Sequence, residues 1–295
     1  MDSPTDTPTV TPEENPRGRL LRSSIVLRVL ASIVFIPCFI VITQRGGYHF
    51  LALIDIVIFI GMWEFYAMME AKGIRPYKGI GILCGLALSW YMFFQGGMYA
   101  NMFLTLALMA IMGLELARRD TTRAVYHVST TILGVIYVGF LSSHIVLLRE
   151  LPLQTKTAYS TGSSFVFLAF VITWASDTGA YFVGTLLGRH PLLPRVSRNK
   201  TREGAVGGVL FAILGALVAR YTFAPYLQMW QAVMLGILGS VVGMAGDLVE
   251  SMLKRDVDVK DASETIPGHG GVLDRFDSLL FTAPLIYYIL KFLIL

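Results

Sequence analysis

Two aspartates stand three residues apart in Asp274-Arg275-Phe276-Asp277, and a third, Asp247, precedes them in the run GMAGDLVES. At the start of a helix, an i, i+3 spacing puts Asp274 and Asp277 on one face. Carboxylates held side by side repel unless a cation joins them. Hard oxygen donors suit Mg²⁺, which keeps waters and takes one or two protein carboxylates together with substrate phosphates. The competing reading is that of plain helix-end acids, since carboxylates favour helix N-termini. That reading suits Asp274 and Asp277 but not Asp247, which sits near the C-terminal end of an apolar run. Both stand at this level.

Bases are interleaved with these acids. Lys254, Arg255 and Lys260 lie between Asp247 and Asp274, and Arg275 lies between the last two aspartates. They read either as anchors to an anionic membrane face or as clamps for a polyphosphate. The turn Pro267-Gly268-His269-Gly270-Gly271 lets backbone N–H groups approach an anion, although glycine turns are common for other reasons. His269 is read as a phosphate contact or a turn residue rather than a general base. A phosphate monoester has a second pKa of about 6, so it is already largely dianionic at neutral pH. A second polar group, DTGAYFVG followed by SRNKTREG, contains Asp177 inside an apolar run and Lys200 beyond it. A charge within the membrane costs roughly 2.5–3.5 kcal/mol by insertion scales, so Asp177 belongs either to a site or to a buried hydrogen-bonded pair. Gly179, Gly184 and Gly188 predict close helix packing. Asp55 and Glu64, in an earlier run, line a polar crevice or pair within the bundle, and neither is assigned to the site.

The elements that must position these residues are membrane helices. The chain of 295 residues is 55% hydrophobic and only 15% charged, with a mean hydropathy of +0.63. Soluble domains carry about 25% charged residues. A helical span needs roughly 20 apolar residues, and the runs here are long and continuous rather than alternating, which favours helices over barrel strands. The expected fold is therefore an all-α, polytopic bundle of about nine spans, near 24–43, 49–70, 79–96, 98–116, 129–148, 163–187, 205–223, 228–249 and 275–294. Residues 1–20, polar and rich in Pro and Thr, read as a disordered cytoplasmic tail with no cleavable signal. Residues 21–150 form a first bundle of five spans. Residues 151–295 form a four-span catalytic part with a cytoplasmic motif loop at 250–274. Cys38 and Cys84 fall inside apolar runs and read as small core residues. With the N-terminus inside, eighteen Lys and Arg fall on the cytoplasmic side and five on the other, with Arg28 inside the first span. That asymmetry puts the polar cluster at the cytoplasmic face, where it attracts lipid headgroups or nucleotides. A nucleic-acid partner is not expected.

The segment SMLKR…KD…PGHGGVLDRFD, residues 251–277, resembles the signature of the phosphatidate cytidylyltransferase (CDP-diacylglycerol synthase) family. DTGAYFVG and NKTREG are similar to that family's upstream motifs. The resemblance covers about residues 170–295, and the first half matches only as a generic bundle. One departure is SRNKT, where many relatives have a proline after the serine. The resemblance implies an integral-membrane enzyme, often a homodimer, that joins CTP and phosphatidic acid to give CDP-diacylglycerol and pyrophosphate. It implies Mg²⁺, with K⁺ as a possible second cation, bound by the acids matching Asp247, Asp274 and Asp277. Lys260 then joins these as a catalytic residue. Asp177, Lys200, Lys254, Arg255, His269, Gly270, Gly271 and Arg275 bind substrate. The absence of a targeting peptide favours a bacterial inner membrane. The alternatives are a CTP-dependent polyprenol kinase, an ion-coupled transporter and an inactive membrane scaffold. The last would have lost a motif acid, and none is missing.

Overall fold

A computed structural model of the chain describes residues 35–120, 122–259, 263 and 270–295. The proposed tail and the start of the first run, together with Lys260 and His269, lie outside the described residues. The helices, in chain order, are α1 Phe35–Arg45, α2 Gly47–Ala71, α3 Lys78–Gln95, α4 Ala100–Leu116, α5 Ala124–Glu150, α6 Thr161–Leu187, α7 Arg202–Thr222, α8 Met229–Asp256 and α9 Leu273–Ile294. The described part of each apolar run read from the sequence falls on one of them. Among the described residues six, namely α2 and α5 to α9, are long and apolar enough to cross a membrane, against the nine spans expected. The chain is thus a multi-pass helical membrane protein. It is not wholly helical: Pro191–Leu193 (β1) and Ser197–Thr201 (β2) pair antiparallel between α6 and α7. This hairpin was not expected from a stretch that reads as a charged loop.

The basic segments meet at one end of the bundle. Lys72 pairs with Asp256, Arg118 Nη1 donates to the Arg75 carbonyl at 3.3 Å, and Arg123 Nη1 donates to the Gly73 carbonyl at 3.2 Å. The opposite end is closed by Arg149 and Glu150 on α5. The Arg149 guanidinium, fully buried, donates to the carbonyls of Thr43 (2.6 Å), Gln44 (3.0 Å) and Tyr159 (3.2 Å). It therefore sits on the negative end of α1. Glu150 Oε1 accepts the Gly47 N–H at 3.2 Å, at the positive end of α2, and the Tyr159 hydroxyl at 2.8 Å. The turn between α1 and α2 needs glycine. Gly46 has φ +66°, and a Cβ there would stand 2.3 Å from Arg149 Nη2.

Helices α6 and α7 make the most extensive contact in the bundle, and small residues allow it. A Cβ on Gly179 would lie 2.7 Å from the Gly207 carbonyl oxygen, and one on Gly204 would lie 2.9 Å from that of Ala180. Helix α7 starts with a side-chain cap, Thr201 Oγ1 accepting the Gly204 N–H at 3.1 Å. Thr201 also ends β2, so this cap fixes the hairpin to the helix.

Candidate functional site

The site is assembled where α8 and α9 touch. Gly239, Gly243 and Gly246 give α8 a bare stripe. A Cβ on Gly246 would stand 2.7 Å from the Asp277 carbonyl oxygen, and one on Gly243 would stand 2.8 Å from Thr282 Oγ1. With α9 this close, Asp277 faces α8 one turn from its own N-terminus. Helix α8 runs on to Asp256, past the apolar run that ends at 249. Its residues 247, 250 and 254 therefore share a face at i, i+3, i+7. Carboxylate oxygens of Asp247, Glu250 and Asp277 lie within 4.8 Å of one another.

Lysines answer part of this charge. Lys254 Nζ bridges Glu250 Oε2 at 2.7 Å and Asp274 Oδ1 at 2.8 Å. Lys200, on β2, reaches Asp247 Oδ2 at 2.5 Å. Asp274 also accepts the Gly271 N–H at 2.8 Å. Gly270 beside it has φ +79°, and its Cβ would crowd Asp274 Oδ2 at 2.9 Å. Gly270 and Gly271 thus pack against Asp274.

Two cavities flank the hairpin. One, of about 310 Å³, is lined by Asp177, Lys200, Asp247, Ser197 and Asn199. The other, of about 540 Å³, is lined by Arg195, Arg255, Ser197 and Asn199. The hairpin therefore forms a wall between an acidic chamber and a basic one. Arg255 and Arg275 are both exposed at this end.

The donor set fits a hard divalent cation. All three ligating groups are carboxylates, and Glu250, only 1% exposed, has an Oε1 that is buried without a hydrogen-bond partner. Leaving such an atom unmatched is costly, and a cation at the cluster would match it. Oxygens across an octahedral Mg²⁺ stand about 4 Å apart, comparable with the spread of the cluster.

A model of the cytidylyltransferase family matches residues 26–293. The chain belongs to this family. Among its relatives, a phosphatidate cytidylyltransferase of Synechocystis is 37% identical over 288 residues, covering 90% of this chain and 97% of the relative. One of Bacillus subtilis is 35% identical, covering 92% and 97%. One of Staphylococcus saprophyticus is 31% identical, covering 90% and 98%.

In this cytidylyltransferase-family chain, the sequence-derived residues divide into three groups. Asp247, Lys200 and Asp177 line the acidic chamber, and Asp277 joins Asp247 in the carboxylate triad. Asp274 does not join the close triad. Glu250 occupies that place, and Asp274 stands beside it through Lys254. Lys254 bridges two carboxylates, much as Lys200 pairs with Asp247. Glu250 went unread because the span was ended where hydropathy fell, although i, i+3, i+7 from Asp247 marks it.

Glu64 has a role that no local pattern announces. Carried by α2 and buried, it accepts the Val272 N–H at 3.1 Å and the Leu273 N–H at 2.8 Å, and also the Ser263 hydroxyl. It caps α9 from 208 residues away. Asp55, by contrast, accepts the Trp90 indole N–H, at 2.7 Å. Glu64→Ala strands two backbone donors, each worth about 1–3 kcal/mol. A clear fall in melting temperature is expected, with partial recovery in Glu64→Gln, which keeps one acceptor oxygen. An unchanged melting curve for the alanine variant would contradict the cap.

Proposed function

We propose that this protein transfers the cytidylyl group of CTP to phosphatidic acid, giving CDP-diacylglycerol and pyrophosphate. The observation that carries this is the carboxylate–lysine cluster at the basic end of a membrane bundle in a chain of this family. There it can meet a water-borne nucleotide and a headgroup whose acyl chains stay in the bilayer. The lipid phosphate, already dianionic, needs no base. One of its oxygens forms a bond to the α-phosphorus of CTP as the bond to the pyrophosphate oxygen breaks. Lys200, Arg195, Arg255 and Arg275 bind the triphosphate and the departing pyrophosphate. Lys260 and His269 join them on sequence grounds. Asp247, Glu250 and Asp277 would hold Mg²⁺, with Asp274 adjoining and K⁺ as a second cation. Bound there, Mg²⁺ supplies neutralisation of the charge that builds up between two polyanions.

The same reading places the protein in a bacterial inner membrane as a homodimer. All nine helices α1 to α9 cross it, with the N-terminus and the active site on the cytoplasmic side, as the eighteen-to-five distribution of Lys and Arg favours. Residues 151–295 are the catalytic part, steadied from the first bundle by Glu64. A lateral opening between helices admits the lipid.

The test is purified protein with radiolabelled CTP, phosphatidic acid and Mg²⁺. Label in the organic phase with stoichiometric pyrophosphate is expected. Release of CDP would instead identify a lipid kinase, and label crossing the membrane without pyrophosphate would identify a transporter.

A further inference from the structure

Helix α5 is not regular. At Val135–Phe140 it makes a π turn, in which the Leu141 N–H reaches back to the Ile136 carbonyl. Such turns insert one extra residue, re-aim the side chains around them, and occur often at functional sites. This one is held in place by close packing on both sides. A Cβ on Gly134 would strike the Tyr66 ring at 2.5 Å, and one on Gly139 would strike the Gly85 Cα at 2.9 Å.

The π turn carries Tyr137. Its side chain is 4% exposed, and its hydroxyl is buried with no hydrogen-bond partner among the described residues. Its ring packs edge-on against Phe281, with centroids 6.4 Å apart, and against Phe65 at 6.2 Å. Phe281 lies one turn beyond Asp277 on the same face of α9 and rests on Gly246, whose Cβ would stand 3.1 Å from the Phe281 ring. Glu250 is one turn beyond Gly246 on α8. The Tyr137 ring is therefore packed against the junction that holds the carboxylate triad. Two buried polar atoms lack partners at this one junction, the Tyr137 hydroxyl and Glu250 Oε1. One is a donor and the other an acceptor. A hydrated cation can satisfy both: its positive charge matches the carboxylate, and the phenol O–H donates to a carboxylate oxygen or an outer water beside it.

We propose that Tyr137 is a positioning residue for the cation site, its hydroxyl donating to a water or carboxylate oxygen around the divalent ion held by Asp247, Glu250 and Asp277. This rests on the cation reading of that cluster. Groups that hydrogen-bond to metal ligands typically contribute 10–100-fold in affinity.

The experiment is Mn²⁺ binding by electron paramagnetic resonance, with neither substrate present, on full-length protein in nanodiscs. Wild type is compared with Tyr137→Phe, Tyr226→Phe and Asp277→Asn. Tyr137→Phe removes one oxygen and keeps the ring. Tyr226 is the matched control. Its hydroxyl is also buried and unpartnered, and its ring packs on Phe165. It precedes α8, however, and so lies about 30 Å along that helix from Asp247. Tyr137→Phe is expected to weaken Mn²⁺ binding about 10–100-fold with an unchanged metal-free melting temperature, while Tyr226→Phe binds as wild type. Loss of binding in Asp277→Asn but not in Tyr137→Phe would overturn the role of Tyr137 alone. So would an equal loss in Tyr137→Phe and Tyr226→Phe. Equal affinity in all four proteins would overturn the cation reading and this proposal with it.

Discussion

Replacing Asp277 with Asn is expected to lower cytidylyl transfer by on the order of 10²–10³-fold, about 3–4 kcal/mol at the barrier. It should also raise the Mg²⁺ concentration needed for half-maximal rate. The expected effect on stability has the opposite sign. Asp277 shares its surroundings with Asp247 and Glu250, whose oxygens stand within 4.8 Å of its own. Without a cation, three carboxylates so close repel one another. Removing one charge while keeping the shape should leave the metal-free melting temperature equal or higher. A group that holds the fold would behave in reverse, costing stability first and activity only through it. Steady-state turnover across a Mg²⁺ titration, beside melting curves in a chelator, separates the two. Wild-type turnover with an unaltered Mg²⁺ requirement would remove Asp277 from the site.

The largest loss of stability is expected at the other end of the bundle. Arg149→Met keeps length and apolar stem but strands the buried carbonyls of Thr43, Gln44 and Tyr159, which now accept from the guanidinium. Each unmatched acceptor costs about 1–3 kcal/mol. Partial relaxation brings the sum to about 3–5 kcal/mol, or roughly 10 °C in melting temperature. Arg149 lies about 18 Å along α5 from Tyr137, so activity per folded molecule should stay near that of wild type. Thermal melting in detergent, paired with active-fraction-corrected turnover, checks both halves. A stable variant, or a folded but inactive one, would contradict this account.

The helical membrane class was legible because it rests on hydropathy, which is additive along a chain: the described part of every apolar run falls on a helix. The polar cluster was legible because acids, lysines and glycines crowd residues 247–277. Asp247 and Asp277 could be paired from the sequence, since both flank one loop. Glu250 was within reach of helical spacing but was lost when the span was ended at the fall in hydropathy. The hairpin at 191–201 was hidden by its charge, which reads as loop.

The residue types that make this a membrane protein with acidic, phosphate-handling chemistry follow from the sequence alone, because composition and local spacing need no partner to be read. Which carboxylates come together, which of them each lysine meets, and where Glu64 and Tyr137 pack were decided only by tertiary packing. Those relations join residues up to 209 positions apart, through glycine contacts and a π turn whose geometry depends on the neighbouring helices.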